Sequence, residues 1–82
     1  MYVIGEPDPT AQAQIAAPPQ EALHHLAGVL ELIELAPWAG GPQNPGKPGG
    51  NMRIMPFGER GLITYVVLEP QREIYIVRVQ WI

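Results

Sequence analysis

The chain has no cysteine. That excludes disulfide staples and thiolate metal sites, and it fits a reducing compartment. No apolar run reaches the ~18 residues that a membrane-crossing helix needs, so no membrane partner is expected. Positive charge is scarce: five Lys and Arg stand against eight Asp and Glu, for a net charge of −3. Nucleic-acid binding leans on cations that neutralise phosphates, so this balance weighs against a strong, non-specific RNA or DNA binder. The opening Met1-Tyr2-Val3-Ile4-Gly5-Glu6 has neither a basic stretch nor a long apolar core. No signal peptide is therefore expected, and the reading is cytoplasmic. A catalytic triad, a phosphate-cradling glycine loop and a carboxylate pair at useful spacing are all missing. No cofactor or metal is expected.

What is present points to one small domain, residues 1–82, with a hydrophobic fraction of 46%. The last third reads as three strands, Asn51–Phe57, Leu62–Leu68 and Glu73–Ile82, separated by Gly58-Glu59-Arg60-Gly61 and Glu69-Pro70-Gln71-Arg72. Short connections make the neighbours antiparallel. Alternation along each strand gives two faces. One is expected to hold Met52, Ile54, Ile63, Tyr65, Val67, Tyr75, Val77, Val79 and Trp81 and to form the core. The other is expected to hold Arg53, Met55, Phe57, Leu62, Thr64, Val66, Leu68, Ile74, Ile76, Arg78 and Gln80. This second face is too apolar to stay wet, so Met55, Phe57, Leu62, Ile74 and Ile76 are the expected partner interface, for a second copy or another protein.

Upstream, Tyr2-Val3-Ile4 reads as an edge strand ended by Gly5. Asp8-Pro9 has the form of an N-cap followed by proline at the first helical position, opening a short helix to about Ala17 or else a loop. The long helix runs from about Pro19 to Ala36, with Leu23, Leu26, Leu30 and Ile33 as its apolar stripe and Pro37 as its stop. Leu32 and Leu35 widen the apolar surface. Pro37–Gly50 is a Gly/Pro-rich loop in which Trp38 is an expected anchor. Strand, helices, then a three-stranded antiparallel meander make an α+β sandwich of two layers.

His24 and His25 are adjacent, so they point about 100° apart on a helix and do not form an i, i+4 metal pair; solvated or packed side chains are the plainer reading. Pro42-x-x-Pro45-x-x-Pro48 has polyproline spacing, but its glycines make a plain loop the better reading. Arg53, Arg60, Arg78 and Lys47 hold most of the positive charge. Gathered on one concave surface they would suit RNA phosphate or an acidic partner; paired with Glu59, Glu69 and Glu73 they would be ordinary surface.

The ordered set Met52-Arg53-Ile54, Phe57-Gly58, Gly61-Leu62-Ile63-Thr64-Tyr65-Val66-Val67 and Ile74-Tyr75-Ile76-Val77-Arg78-Val79-Gln80-Trp81, after a helix ending in Glu34-Leu35-Ala36-Pro37, resembles the RelE/ParE superfamily of small bacterial toxins. The likeness covers roughly residues 19–82. It implies a bacterial type II toxin made beside a cognate antitoxin, acting on the ribosome and messenger RNA as an endoribonuclease or on DNA gyrase. By position, Arg53 matches a basic residue on the first meander strand of the RNases and is the candidate catalytic group. The next basic position falls on Met55, and an expected arginine falls on Leu62. The basic and tyrosine residues that follow the last strand have no counterpart before Ile82. Catalysis at phosphorus needs charge stabilisation and proton handling. Two functions are thus expected: an active toxin, or a non-catalytic protein of the toxin fold that binds an antitoxin or itself.

Overall fold

Asp8 sits in extended backbone, and its carboxylate accepts the Ala11 N–H at 2.8 Å. Pro9 follows with its φ already suited to a helix. Helix α1 then runs over Pro9–Ala16 in the computed structural model, which describes residues 1–82. The helix reading of this segment therefore holds, and the loop alternative does not. Helix α2 spans Gln20–Leu35, starting after Pro18-Pro19 and closing before Pro37. Its buried residues are Ala22, Leu26 and Ile33, with Val29 and Leu30 partly covered. Leu23 lies outside this stripe at 37% exposure, so the buried line starts one residue earlier than the leucine spacing alone implies.

Five strands form one sheet in the order β1-β5-β4-β3-β2: β1 Val3–Ile4, β2 Gly41–Pro42, β3 Met52–Phe57, β4 Gly61–Leu68 and β5 Glu73–Trp81. β1 runs parallel to β5 and every other pair is antiparallel. The expected meander is thus the centre of the sheet, and the expected edge strand is β1. β2 comes from the segment expected to be plain loop.

Both helices lie on one face of the sheet. Ala11, Leu26 and Ile33 share a core cluster with Met55, Phe57, Ile63, Tyr65, Val67, Ile74, Ile76 and Val79. Burying an Ile, Leu or Phe side chain stabilises by about 1.5–3 kcal/mol, so this single layer holds the domain together.

The membership of that layer corrects the expected faces. Phe57 pairs with Gly61, so the β3–β4 loop has three residues, Gly58, Glu59 and Arg60. Odd-numbered residues of β3 therefore share a face with odd-numbered residues of β4, and Met55 lies opposite Ile63. Counting Gly61 into the turn shifts the pairing by one and exchanges the faces of β3. On β5 the ladder steps from Tyr65↔Ile76 to Thr64↔Arg78, leaving Val77 as an extra residue in a bulge. Before the bulge Ile74 and Ile76 face the core; after it Val79 does. Strict alternation fails across a bulge. Met55, Phe57, Ile74 and Ile76 are accordingly core residues, 6% exposed or less, and Ile54 belongs to the opposite face.

The sheet edges are partly covered. β2 is a Gly-Pro pair, and Pro56 in β3 has no N–H to offer. On the other side β1 covers only Glu73 and Ile74. Beyond it, the Val79 N–H donates to Gln14 Oε1 of α1 at 2.9 Å. An incoming strand finds little to pair with.

Candidate interaction surfaces

Arg53 sits in the sequence just after the Gly/Pro-rich segment, and the structure explains why. Its side chain is on the core face, 7% exposed, near the β2 edge. Nε and Nη2 donate to the Gly40 carbonyl at 3.1 and 2.6 Å, and Nη1 donates to Pro48 and Gly50 carbonyls at 2.9 and 3.1 Å. A longer Nη2 contact reaches the Trp38 carbonyl at 3.5 Å, and the guanidinium carbon lies 5.3 Å from the centre of the Trp38 ring. A buried charge is tolerated only when its donors are satisfied, and five fixed N–H groups suit a wrap of carbonyls. Trp38 thus anchors its loop as expected, through its carbonyl and its ring face together.

Tyr65 completes this arrangement. Its hydroxyl donates to the Pro37 carbonyl, and burial raises the phenol above its ordinary value. Gly40 passes so close that an added Cβ would collide with the Tyr65 hydroxyl and lie 2.7 Å from the Ile54 carbonyl. The rest of the segment is turns, with the Lys47 N–H donating to Asn44 and the Gly50 N–H to Lys47, both at 2.9 Å. The prolines at 42, 45 and 48 therefore do not form a continuous polyproline helix.

The opposite sheet face carries no helix. The register lays it out in rows across the strands: Leu68 beside Glu73 and Val3; Met52 beside Val66 and Tyr75; Ile54 beside Thr64 and Arg78; Pro56 beside Leu62 and Gln80. Met52, Leu68 and Tyr75 are each 37–38% exposed, and Ile54, Leu62 and Val66 are half-buried. Tyr75 donates its hydroxyl to Asp8 Oδ2 at 2.9 Å, which ties this face to the start of α1. The Asp8 carboxyl is held below the usual Asp value by the Ala11 N–H and then by Tyr75. The same bond raises the Tyr75 phenol.

A third feature is an open cleft of about 770 Å³ where the start of α2 meets the β3–β4 turn. Glu21, His24, His25, Glu59, Arg60 and Trp81 line it. The two imidazoles lie with ring centres 4.1 Å apart, tilted by 35°. Trp81 packs on Phe57 with ring centres 5.8 Å apart, and Gly58, at φ +60°, turns the chain over it. No group of three or more His, Asp or Glu side chains is arranged to hold a metal ion.

The four expected cations do not converge. Arg53 is on the core face, Arg78 on the open face, Arg60 in the β3–β4 turn and Lys47 in the loop before β3. Of the expected partner-facing residues only Leu62 lies on the open face. Residues that the reading put in the core, Met52, Ile54 and Tyr75, lie there instead. A three-residue β3–β4 loop was the signal that would have placed Met52 and Ile54, since it fixes the pairing of Phe57 with Gly61. Nothing in the sequence marks the bulge at Val77.

Compared with protein-family models, with curated proteins and with solved structures, the chain matches none of them.

Proposed function

We propose that this chain is the toxin-type member of a toxin–antitoxin pair, on a RelE/ParE-like plan, and that it acts by binding a protein rather than by cutting RNA. The placement in that superfamily rests on the ordered likeness of sequence elements. The choice of mechanism rests on Arg53. An RNase cation must reach the developing charge on a phosphoryl group. Arg53 is 7% exposed, and its N–H groups are engaged by carbonyls. Met55, at the next basic position of the RNases, is in the core, and Leu62 supplies no charge. Protein contact has a surface to work through: the open face, apolar in its middle rows and carrying Arg78 at one side. An antitoxin segment and a protein target such as gyrase are the partners of this reading.

The test is induction of the chain alone and together with the product of its neighbouring gene. Growth arrest relieved by the neighbour, with intact messenger RNA, is the expected result. Val66→Glu on the open face should remove the arrest while the protein stays folded by circular dichroism. Ribosome-dependent cleavage by the purified chain would overturn the mechanism. Growth unaffected by the chain alone would replace the toxin with a non-catalytic binding module of the same fold.

A further inference from the structure

The geometry points to a second copy of this chain as the occupant of the open face in the isolated protein, packed face to face with β5 antiparallel to β5 of its partner. Met52, Val66 and Tyr75 form one row straight across three strands. A two-fold axis along that row would reverse strand direction while keeping strand order. It would therefore exchange the row on one side with the row on the other. Those rows hold the face's two charges on β5: Glu73 on one side and Arg78 on the other. Each Glu73 would then meet the other copy's Arg78, twice over, as an isologous interface requires. Along the axis Val66 would meet Val66, with Tyr75 and Met52 beside it. Opposite charges at this pairing are what a self-complementary face needs; an axis along the Ile54, Thr64 and Arg78 row, or along β5, would set Arg78 against Arg78.

The interrupted edges, with Pro56 on one side and the Gln14 bond to Val79 on the other, favour the face over strand addition as the route of association. The axis pairs three of the four rows; at about 6.8 Å per row and about 4.8 Å per strand they make a patch of roughly 300 Å² per copy, so the total is on the order of 600 Å². That is below the standard size of specific interfaces, so the dimer is expected to be weak and reversible.

The inference uses the same face as the proposed partner binding but not the toxin premise. Sedimentation of the purified chain reads it without any partner. Across concentrations from about 1 μM to about 1 mM, a monomer–dimer equilibrium is expected, with half-association above roughly 10 μM. Arg78→Glu and Glu73→Arg should each weaken it at least about tenfold, since each sets two like-charge pairs in place of two attractive ones. The double variant E73R/R78E should restore it to within a few-fold of wild type. Melting curves on each variant confirm folding; both sites are exposed, so the fold should persist. A strict monomer at every concentration would overturn the inference. So would a dimer that ignores both single changes, or one that the double change fails to restore.

Discussion

The two faces of the sheet each carry one arginine, and the two arginines have opposite fates. Arg53 is on the helix-covered face, with carbonyls of Gly40, Pro48 and Gly50 gathered around it. Arg78 stands exposed on the uncovered face, beside Thr64 and Ile54. The first orders a segment that has little structure of its own, because one guanidinium satisfies several carbonyls that proline and glycine leave without strand or helix partners. The second has no such task and is free to meet a partner's carboxylate. A basic residue on a strand is therefore not a functional signal until its donors are accounted for. Here the residue expected to be catalytic is the one whose donors are already taken.

The largest effect should separate the faces by packing. Ile76→Ala removes a fully buried side chain and should cost about 2–5 kcal/mol. Val66→Ala, on the open face of the neighbouring strand, should cost less than about 1 kcal/mol in the monomer. Urea unfolding of both at low micromolar concentration checks this. Equal costs would mean that the open face is covered in solution, by a second copy or by another part of the chain.

The arginine contrast comes next. Arg53→Ala should destabilise by roughly 2–4 kcal/mol, since hydrogen bonds to a charged group are worth more than neutral ones and the carbonyls lose a common partner. Arg53→Lys should recover little of that, because an ammonium cannot reproduce the planar fork. Arg78→Ala should change stability by no more than about 0.5 kcal/mol. Limited proteolysis should cut Arg53→Ala early between residues 40 and 50 and leave Arg78→Ala as resistant as wild type. An Arg53→Ala protein with wild-type stability would reopen the catalytic reading.

These contrasts also mark how far the sequence could be read. The long helix, the edge strand β1 and the antiparallel meander were legible because proline and the alternation of Ile and Val carry them locally, whereas α1 stayed open between helix and loop and β2 was read as loop. The assignment of faces was not. It depends on whether the β3–β4 loop counts three residues or four, and on one unpaired residue at Val77. A single-residue error in either place exchanges core for surface along half a strand. Arg53 compounded the error, because a charged residue argues against a core position unless the carbonyls that receive it are foreseen. Those carbonyls belong to a segment with no periodic pattern at all.

Acid titration tests the tie between the open face and α1. The Asp8 carboxyl has its folded value below the ordinary one, through the Ala11 N–H first and the Tyr75 hydroxyl second. A depressed carboxylate contributes stability that is fully present above its unfolded value, near 3.9, and is lost as pH falls through the folded value. The wild-type melting temperature should therefore fall between about pH 4 and pH 2 more steeply than that of Asp8→Asn, whose side chain still accepts a bond but does not titrate. Parallel slopes in the two proteins would mean that the carboxylate, although bonded, is not linked to folding.

The smallest expected effect lies in the turn that joins β4 to β5. Glu69, Pro70, Gln71 and Arg72 fill it, and Leu68 pairs with Glu73 across it. Four residues in this position set an even number against an odd one, which puts Val67 and Ile74 in the core and Glu73 on the open face. Arg72 accomplishes this at φ +58°, a left-handed conformation that side chains with a Cβ resist by about 1–2 kcal/mol. Its carbonyl accepts the Val3 N–H at 3.0 Å, so the backbone is held where it is. Arg72→Gly removes the Cβ penalty but adds chain entropy of about 0.5–1 kcal/mol to the unfolded state. The balance is a gain of a few tenths to about 1 kcal/mol, or roughly 2–5 °C in melting temperature for a domain of this size. Arg72→Val should move the melting temperature the other way. Self-association of Arg72→Gly should match wild type, because the turn's length, not its side chain, decides where Glu73 points. A weaker dimer with a more stable monomer would show that the Arg72 side chain itself belongs to the open face's contact.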